Sequence, residues 1–536
     1  MSGYLQSAEK LVISGDISHE WESRQAVSRD ASIFEVMPAG VISPRSVEDI
    51  RRSVVWATQE TRAGRPVSLT ARVGGTCMSG GPLTSSYVLD LKKYLHNVGK
   101  IDTVGRSITT QSGAMHRMIE EKTMAEGLLF APYTSSHDIC GIGGMIGNNA
   151  SGEMSIKYGP TSSNVATLKA VLSDGNEYEF GPLTRAEVEK KKQLATYEGE
   201  IYRRITALLE QNKDTIAANH PRTVKNAAGF QLWELWDRHE QVFDLSRLFV
   251  GSQGTLGIVT EATLKLVKRA NFSRMIVTPI SDLMKLPEVV RTTLAYEPAT
   301  CETFDHFTYE LAEQYHPEDA ARAHVAKGKH IVILSVFQGD DQQHTDVLAG
   351  QAKEKLESLG HETFWIDEPA TIESFLNIRR WSFKMLLEHP TPGTRAEAFL
   401  EDTIVPLDRY GEFLTQLEAI LREYNMIYTY AGHIGAGSIR LVPLVDMEAD
   451  GAAERVMELE TRVNDLVIEF GGSISVDHND GIIRTPYLEK QFGSEMVRLF
   501  EEVKLLFDPL GIFNPGKKVG GIYDDALKYI IRENVA

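Results

Sequence analysis

The chain has 536 residues, 42% of them apolar and 24% charged, and carries a formal net charge of −18. That length exceeds a single core and calls for two or more domains, while the composition is that of an ordinary globular protein. The acidic balance argues against nucleic acid or an anionic membrane surface as a partner. Cys77, Cys140 and Cys301 cannot all pair and none lies in a CxxC, which fits a reducing compartment and leaves no four-cysteine cluster within the chain. The first fifteen residues lack a basic stretch followed by an apolar one, so no secretory leader is read there and a cytoplasmic location is expected. No run of about 18 apolar residues occurs, so no membrane-spanning helix is expected.

In chain order, residues 46–62 are predicted helical. Ser46 with Asp49 three residues on resembles a capping box, and Ile50, Val54 and Ala57 share one face. Residues 65–71 form a short strand that delivers the chain into a glycine-rich loop, RVGGTCMSGG from Arg72 to Gly81. Strands follow at 88–91 and 108–111, and a helix at 114–126. A strand at 166–172 is turned by Ser173, Asp174 and Gly175. Residues 183–216 read as polar and helical. Beyond Lys268, strands at 273–279, 331–336 and 438–443 are separated by helices near 281–296, 308–315, 343–359 and 407–424, a pattern that suggests a second α+β unit with helices over one sheet face. A helix over 489–507 follows. Pro509, Gly511 and Pro515 then end regular structure, and no repeat or low-complexity tract is present.

The most informative stretch is residues 130–159, FAPYTSSHDICGIGGMIGNNASGEMSIKYG. It places Gly141, Gly143, Gly144, Gly147 and Gly152 among small polar residues. A chain of this kind exposes backbone N–H groups, which can converge on an anion without help from lysine or arginine. A glycine cluster alone reads equally well as turns. Paired with the Arg72–Gly81 loop, it suggests a dinucleotide with a pyrophosphate, although neither loop is GxGxxG or GxxxxGK[ST].

A third segment, FVGSQGTLGIVTE at 249–261, brings a resemblance. With YVLDLK (87–92), NAAGF (226–230), GHIGAG (432–437), SVDHNDG (475–481) and DPLGIFNPGK (508–517), in this order, the chain resembles the FAD-linked oxidases of the vanillyl-alcohol-oxidase (PCMH) fold. The branch it resembles holds D-lactate dehydrogenase of the cytochrome type, the glycolate oxidase flavin subunit and D-2-hydroxyglutarate dehydrogenase. The resemblance implies an α+β protein: a PCMH-type two-lobed FAD-binding domain over 1–268, a ferredoxin-like α+β cap over 269–470, and a C-terminal segment, 471–536, that returns to the flavin. It also implies FAD held by Arg72, Val73, Gly74, Gly75, Thr76, Cys77, Met78, Pro132, Ser136, Gly143, Gly144, Gly147, Asn148, Asn149, Ser151, Gly257, Ile258 and Asn514. Thr76 stands near the place where distant relatives carry a flavin-linking histidine, and Cys77 lies in the pyrophosphate loop, so the FAD is expected to be non-covalent.

The activity so implied is oxidation of a small, D-lactate-like 2-hydroxy acid, with hydride passing to the flavin and electrons to an external acceptor or electron-transfer protein. An electron-relaying subunit with a decayed metal site, or an oxidase of a different alcohol, are the alternatives. The oligomeric state stays open, a homodimer included. A neutral imidazole suits removal of the hydroxyl proton, and His478 matches the histidine of the family's SGEHG segment. Val476, Asp477 and Asn479 depart from that segment. Relatives often hold a divalent metal through two histidines and a glutamate. His433 matches the first histidine, Asp477 the glutamate, and Arg440 stands at the second histidine. Arginine stays protonated and cannot ligate a cation, so no metal is expected, with His433 and Asp477 as the ligands if one is present. Arg440 reads either as a guanidinium that holds substrate where the metal would or as a structural partner of Asp477, and the two readings can coexist. Arg379 falls at the family's carboxylate-binding arginine, with Arg380 leaving the register open by one, and an arginine ahead of an aromatic on a helix also reads as a surface snorkel. The lysine that helps hold the acid in 2-hydroxyglutarate-type relatives has no match near Leu400.

Overall fold

Parallel strand pairing needs a crossover, and the first lobe supplies one. Strand Tyr87–Asp90 pairs parallel with both Gly40–Ser43 and Leu69–Arg72. Helix Val47–Arg62 crosses over and buries Ile50, Val54 and Ala57 against Leu69, Tyr87 and Leu89. Its Ser46 cap accepts the Asp49 N–H. The box is only half closed, because the Asp49 carboxylate accepts the N–H groups of Ser14 and Arg45 instead, each at 2.8 Å. A computed structural model describes residues 11–237, 241–325, 328 and 330–533, so most of the start read above for a leader lies outside the described residues.

The second lobe is an antiparallel sheet ordered Val98–Asp102, Ser107–Gln111, Ile258–Lys265, Val165–Val171, Glu177–Phe180. Along Ile258–Lys265 alternate residues are buried, the period of two that a one-sided sheet imposes. The covering core brings Leu168 and Leu264 together with Ile201 and Ile205 of helix Tyr197–Gln211 and Leu499 and Val503 of helix Leu488–Phe507. The expected helical run over 183–216 is broken. Strand Pro182–Thr184 comes first, and Thr184 with Glu187 closes a full capping box that starts helix Arg185–Lys192. Thr196 then caps Tyr197–Gln211.

The third sheet has eight strands. Its order begins Phe364–Ile366, Phe272–Ile280, Ile331–Gly339, Thr300–Asp305 and continues through Ile427–Gly432 and Ser438–Val445 to Arg395–Ala396. Leu400–Ile404 also pairs with Ser438–Val445. In chain order the first four strands, with helices Leu286–Leu294 and Gln342–Ser358, make the split β-α-β-β-α-β arrangement expected of a ferredoxin-like unit. Strands Thr300–Asp305 and Leu400–Ile404 escaped the pattern reading because every residue in them is buried, so they show no alternation.

The DPLGIFNPGK tail is a brace. Buried Lys504 donates to the carbonyls of Thr255 and Phe513, both at 2.7 Å, and pairs with Asp508. Asp508 in turn accepts the N–H groups of Ile512 and Phe513. Leu69 N–H donates to Ile512, and the Asn514 amide donates to the carbonyls of Gly81 and Gln253. One tail thus ties a first-lobe strand to two glycine-rich segments. Replacing Lys504 with Met strands a buried carboxylate, which costs about 3–5 kcal/mol. Denaturant unfolding followed by far-ultraviolet dichroism should show a markedly earlier transition; an unchanged midpoint would contradict the brace.

Candidate active site

Strand Leu69–Arg72 ends where the first glycine loop begins. Arg72 to Cys77, with Gly143, Gly144, Gly147, Asn148, Gln253 and Gly257, line a narrow cleft of about 80 Å³. The N–H groups of residues 73 to 78 meet no acceptor among the described residues. Arg72 donates through Nη2 to the Arg29 carbonyl, while its buried Nη1 has no partner among the described residues. Gly75, at φ 68°, lies so near that guanidinium that a Cβ would come within 2.2 Å of Nη2. A Cβ on Gly144 would meet nothing within 4 Å, and one on Gly147 only the Gln253 Cα at 3.7 Å, so this helix turn presents bare backbone to the cleft. Unpaired N–H groups, an orphaned guanidinium nitrogen and glycine-thin walls fit the pyrophosphate of FAD. The Cys77 thiol, near Ser79 Oγ, is pushed up to about 11 by burial and then by the Asp30 charge, which leaves no thiolate for covalent attachment.

Other expected cofactor contacts stand behind this wall. Asn149 turns its side-chain oxygen to the Ser162 N–H, Ile258 lies in the first-lobe core, Asn514 belongs to the tail brace and Pro132 is buried. Met78, Ser136 and Ser151 instead line a second cavity of about 460 Å³. Thr76, Gly144 and Asn148 line both spaces, so cleft and cavity meet there.

His478 stands on the cavity wall because neighbouring acids hold its loop. The Asp402 carboxylate accepts the N–H groups of Val476, Asp477 and His478 at 2.9, 2.7 and 3.0 Å, and the Ser475 hydroxyl at 3.1 Å. Glu401 Oε2 sits 2.6 Å from His478 Nδ1, and its Oε1 accepts Arg484 Nη2 at 2.8 Å. Burial disfavours the charged imidazole, but the Glu401 carboxylate outweighs it and His478 is raised. Burial likewise works against ionised Glu401, yet His478 and Arg484 hold its carboxyl down at about 2. With Nδ1–H donated to Glu401, the lone pair is on Nε2, which has no partner among the described residues. Glu401, Asp402 and His478 are spaced like a metal site, but the Arg484 guanidinium already pairs with both acids and a cation there would face it, so the set does not suit one.

On the same cavity wall, Arg440 Nη2 donates to Asp477 Oδ2 at 2.9 Å and lies 3.4 Å from His433 Nε2. Asp477 also accepts the Ser151 hydroxyl and lies 3.8 Å from Lys225 Nζ. Burial alone would raise Asp477; the charges of Lys225 and Arg440 hold it well below the usual range. Glu302 is shared by His433 Nδ1 at 2.8 Å and Arg379 Nε at 2.6 Å, the latter off the line of a good hydrogen bond. Arg379 Nη1 donates to Ser135 Oγ at 3.1 Å. Arg380 is saturated by Glu153 and Glu373, so Arg379, with Glu302 alone, is the less neutralised of the two. A divalent cation between His433 and Asp477 would face Arg440 and Lys225, and the residues do not fit one. Around His433 three cations, Arg379, Arg440 and Lys225, face two carboxylates, Glu302 and Asp477. That surplus favours an anion in the cavity.

The sequence reading missed Lys225, Glu302, Glu401, Asp402 and Arg484. A signal existed for the acids: Glu302, Glu401 and Asp402 interrupt strand-like runs, where carboxylates are scarce and must be paired when buried.

Comparison with known proteins bears on the domains and the fold. Residues 38–181 match the FAD binding domain, and residues 269–518 match the C-terminal domain of FAD linked oxidases. The chain therefore carries both of these domains, in this order. It is 27% identical to a D-2-hydroxyglutarate dehydrogenase of Pseudomonas putida, over 96% of this chain and 51% of that protein. It therefore spans about half the length of that relative. It is 26% identical to the glycolate oxidase subunit GlcD of Bacillus subtilis, over 93% of this chain and 92% of that one. Its fold is that of p-cresol methylhydroxylase, with a TM-score of 0.69 at 13% identity, covering 97% of this chain and 98% of that one. No helix among the described residues is long and apolar enough to cross a membrane.

The parent protein should purify yellow and release intact FAD on denaturation. Gly144→Val, whose side chain would project into the cleft rather than the core, should fold with native far-ultraviolet dichroism yet retain little flavin. Full flavin occupancy in that variant would remove Gly144 from the cofactor wall.

Proposed function

We propose that this chain oxidises a small 2-hydroxy acid with FAD as the first acceptor and passes the electrons to an external acceptor. The observation that carries the reading is His478, oriented by Glu401 with a free Nε2, on the same cavity wall as a surplus of positive charge. Bound FAD supplies the hydride acceptor. His478 Nε2 takes the proton of the substrate hydroxyl, and the Glu401 carboxylate stabilises the imidazolium that forms. Arg440 holds the substrate carboxylate or the developing alkoxide, with its Nε still without a partner among the described residues. Arg379 adds charge from behind, partly spent on Glu302. The cavity of about 460 Å³ has to take the flavin ring as well, which leaves room for a small acid. In this reading residues to 268 hold the flavin, 269–470 form the cap and the tail from 471 closes the site. An electron relay without chemistry of its own would have no use for an oriented base.

Anaerobic mixing with a panel of D- and L-2-hydroxy acids tests the reading through bleaching of the flavin. His478→Asn should slow bleaching by about 10²–10⁴-fold and leave the flavin bound. A rate equal to the parent's would dismiss His478 as the base.

Arg440 fills the charge position that a second imidazole and its metal would otherwise share. Arg440→His should therefore bind one more divalent cation per chain than the parent, measured by elemental analysis after dialysis against Zn²⁺. In the parent background, His433→Gln should leave the bound-metal count unchanged. A fall in that count on His433→Gln would place a metal at this position and overturn the assignment.

A further inference from the structure

Three side chains of metal-binding type converge on the outer side of the loop that walls the cavity. His116 opens helix His116–Ala125 and Glu120 follows one turn later at i+4, on the same face. His137 comes from the loop whose Thr134, Ser135 and Ser136 line the cavity. One ligand atom from each of the three lies within 4.8 Å of the others, and His137 Nδ1 is 3.5 Å from Glu120 Oε2. The imidazoles of His116 and His137 meet at 71°, centroids 6.3 Å apart, so they do not stack on each other.

A second observation is independent of this spacing. His116 is 1% exposed, and neither of its ring nitrogens has a hydrogen-bond partner among the described residues. Contacts with Phe130 and Tyr133 account for the ring but not for two stranded nitrogens, which a folded protein normally satisfies. The local charge also lacks balance. Glu120, and Asp138 at 3.5 Å from His137 Nδ1, have no lysine or arginine partner among the described residues. The Tyr133 ring stacks on His137, with its hydroxyl 3.3 Å from His137 Nδ1, and steadies that imidazole, as supporting partners of metal ligands do. Glu120 and His137 are 24% and 21% exposed, which leaves a path for an ion.

We propose that His116, Glu120 and His137 form a binding site for a divalent transition-metal cation of the zinc type, separate from the Arg440 position. Two imidazoles and one carboxylate are a zinc donor set, whereas calcium and magnesium favour oxygen alone. Bond lengths of about 2.0–2.2 Å would draw the His137 loop onto the helix. Because Ser135 of that loop accepts Arg379 Nη1, the ion would fix one wall of the cavity without entering it.

The test uses tag-free, FAD-loaded protein, stripped with chelator and dialysed against micromolar Zn²⁺. The parent should retain one zinc per chain by elemental analysis. His137→Asn and His116→Phe should each weaken zinc binding by more than the about 10–100-fold that loss of a supporting partner costs. His433→Gln should bind zinc as the parent does. His116→Phe keeps an aromatic ring against Phe130 and Tyr133, and flavin content reports that both variants are folded. Co²⁺ in place of zinc should give the visible bands of a low-coordinate nitrogen–oxygen site in the parent and not in His137→Asn. A parent without stoichiometric zinc, or undiminished affinity in both His116→Phe and His137→Asn, would overturn the site.

Discussion

The site depends on a pair of adjacent acids, Glu401 and Asp402, in a fully buried strand of the cap sheet. Asp402 collects three backbone N–H groups and a hydroxyl from residues 475–478, while Glu401 takes the imidazole of His478 and the guanidinium of Arg484. Buried carboxylates are tolerated only when so satisfied. Losing Asp402 would strand three N–H groups at about 1–3 kcal/mol each. The same loop reaches the other lobe: the His478 carbonyl accepts the Ser79 hydroxyl at 2.8 Å, and the Asn479 amide donates to the carbonyls of Asn148 and Gly251. All three glycine-rich segments are therefore registered against the loop that carries His478 on the cavity wall.

The charges around His433 follow a related logic. Asp477, Glu302 and His433 are a buried polar set that would need a cation, and Arg440, Lys225 and Arg379 provide it covalently. A guanidinium carries its charge at every working pH and offers directional donors, whereas a metal brings open coordination positions and must be acquired. Exchanging one for the other keeps the electrostatic bias of the cavity and gives up Lewis-acid chemistry. Burial and the nearby cations keep His433 neutral, lowered to about 4, so this histidine acts as a polar spacer between Glu302 and Asp477.

The flavin cleft is made by subtraction. Where Gly144 and Gly147 line it there is no side chain at all, and the N–H groups of residues 73 to 78 meet no acceptor among the described residues. Such a wall would be unstable if it had to support itself. The tail supports it from behind through Lys504, Asp508 and Asn514, whose bonds reach Thr255, Gly81 and Gln253. Rigidity comes from buried polar contacts, and the surface offered to the cofactor stays thin.

The sequence by itself determined what local chemistry can determine. Helix 47–62 followed from one apolar face and a serine cap, the glycine-lined cleft from glycine density, and the ferredoxin-like unit from motif order. His478, His433, Asp477 and Arg440 were legible because short motifs carry them. Tertiary structure decided which groups meet. Glu302, Glu401 and Asp402 lie in strands buried on all sides, where alternation vanishes and an acid looks misplaced until its partner is seen. Those partners, His433, His478 and Arg484, are 131, 77 and 83 residues away in sequence, and no periodicity spans such distances. Whether Arg379 or Arg380 keeps charge for the cavity was likewise undecided by adjacent positions in one helix. It was settled by the carboxylates of Glu153, Glu302 and Glu373 that folding brings to them, since a buried charge takes its character from its neighbours in space.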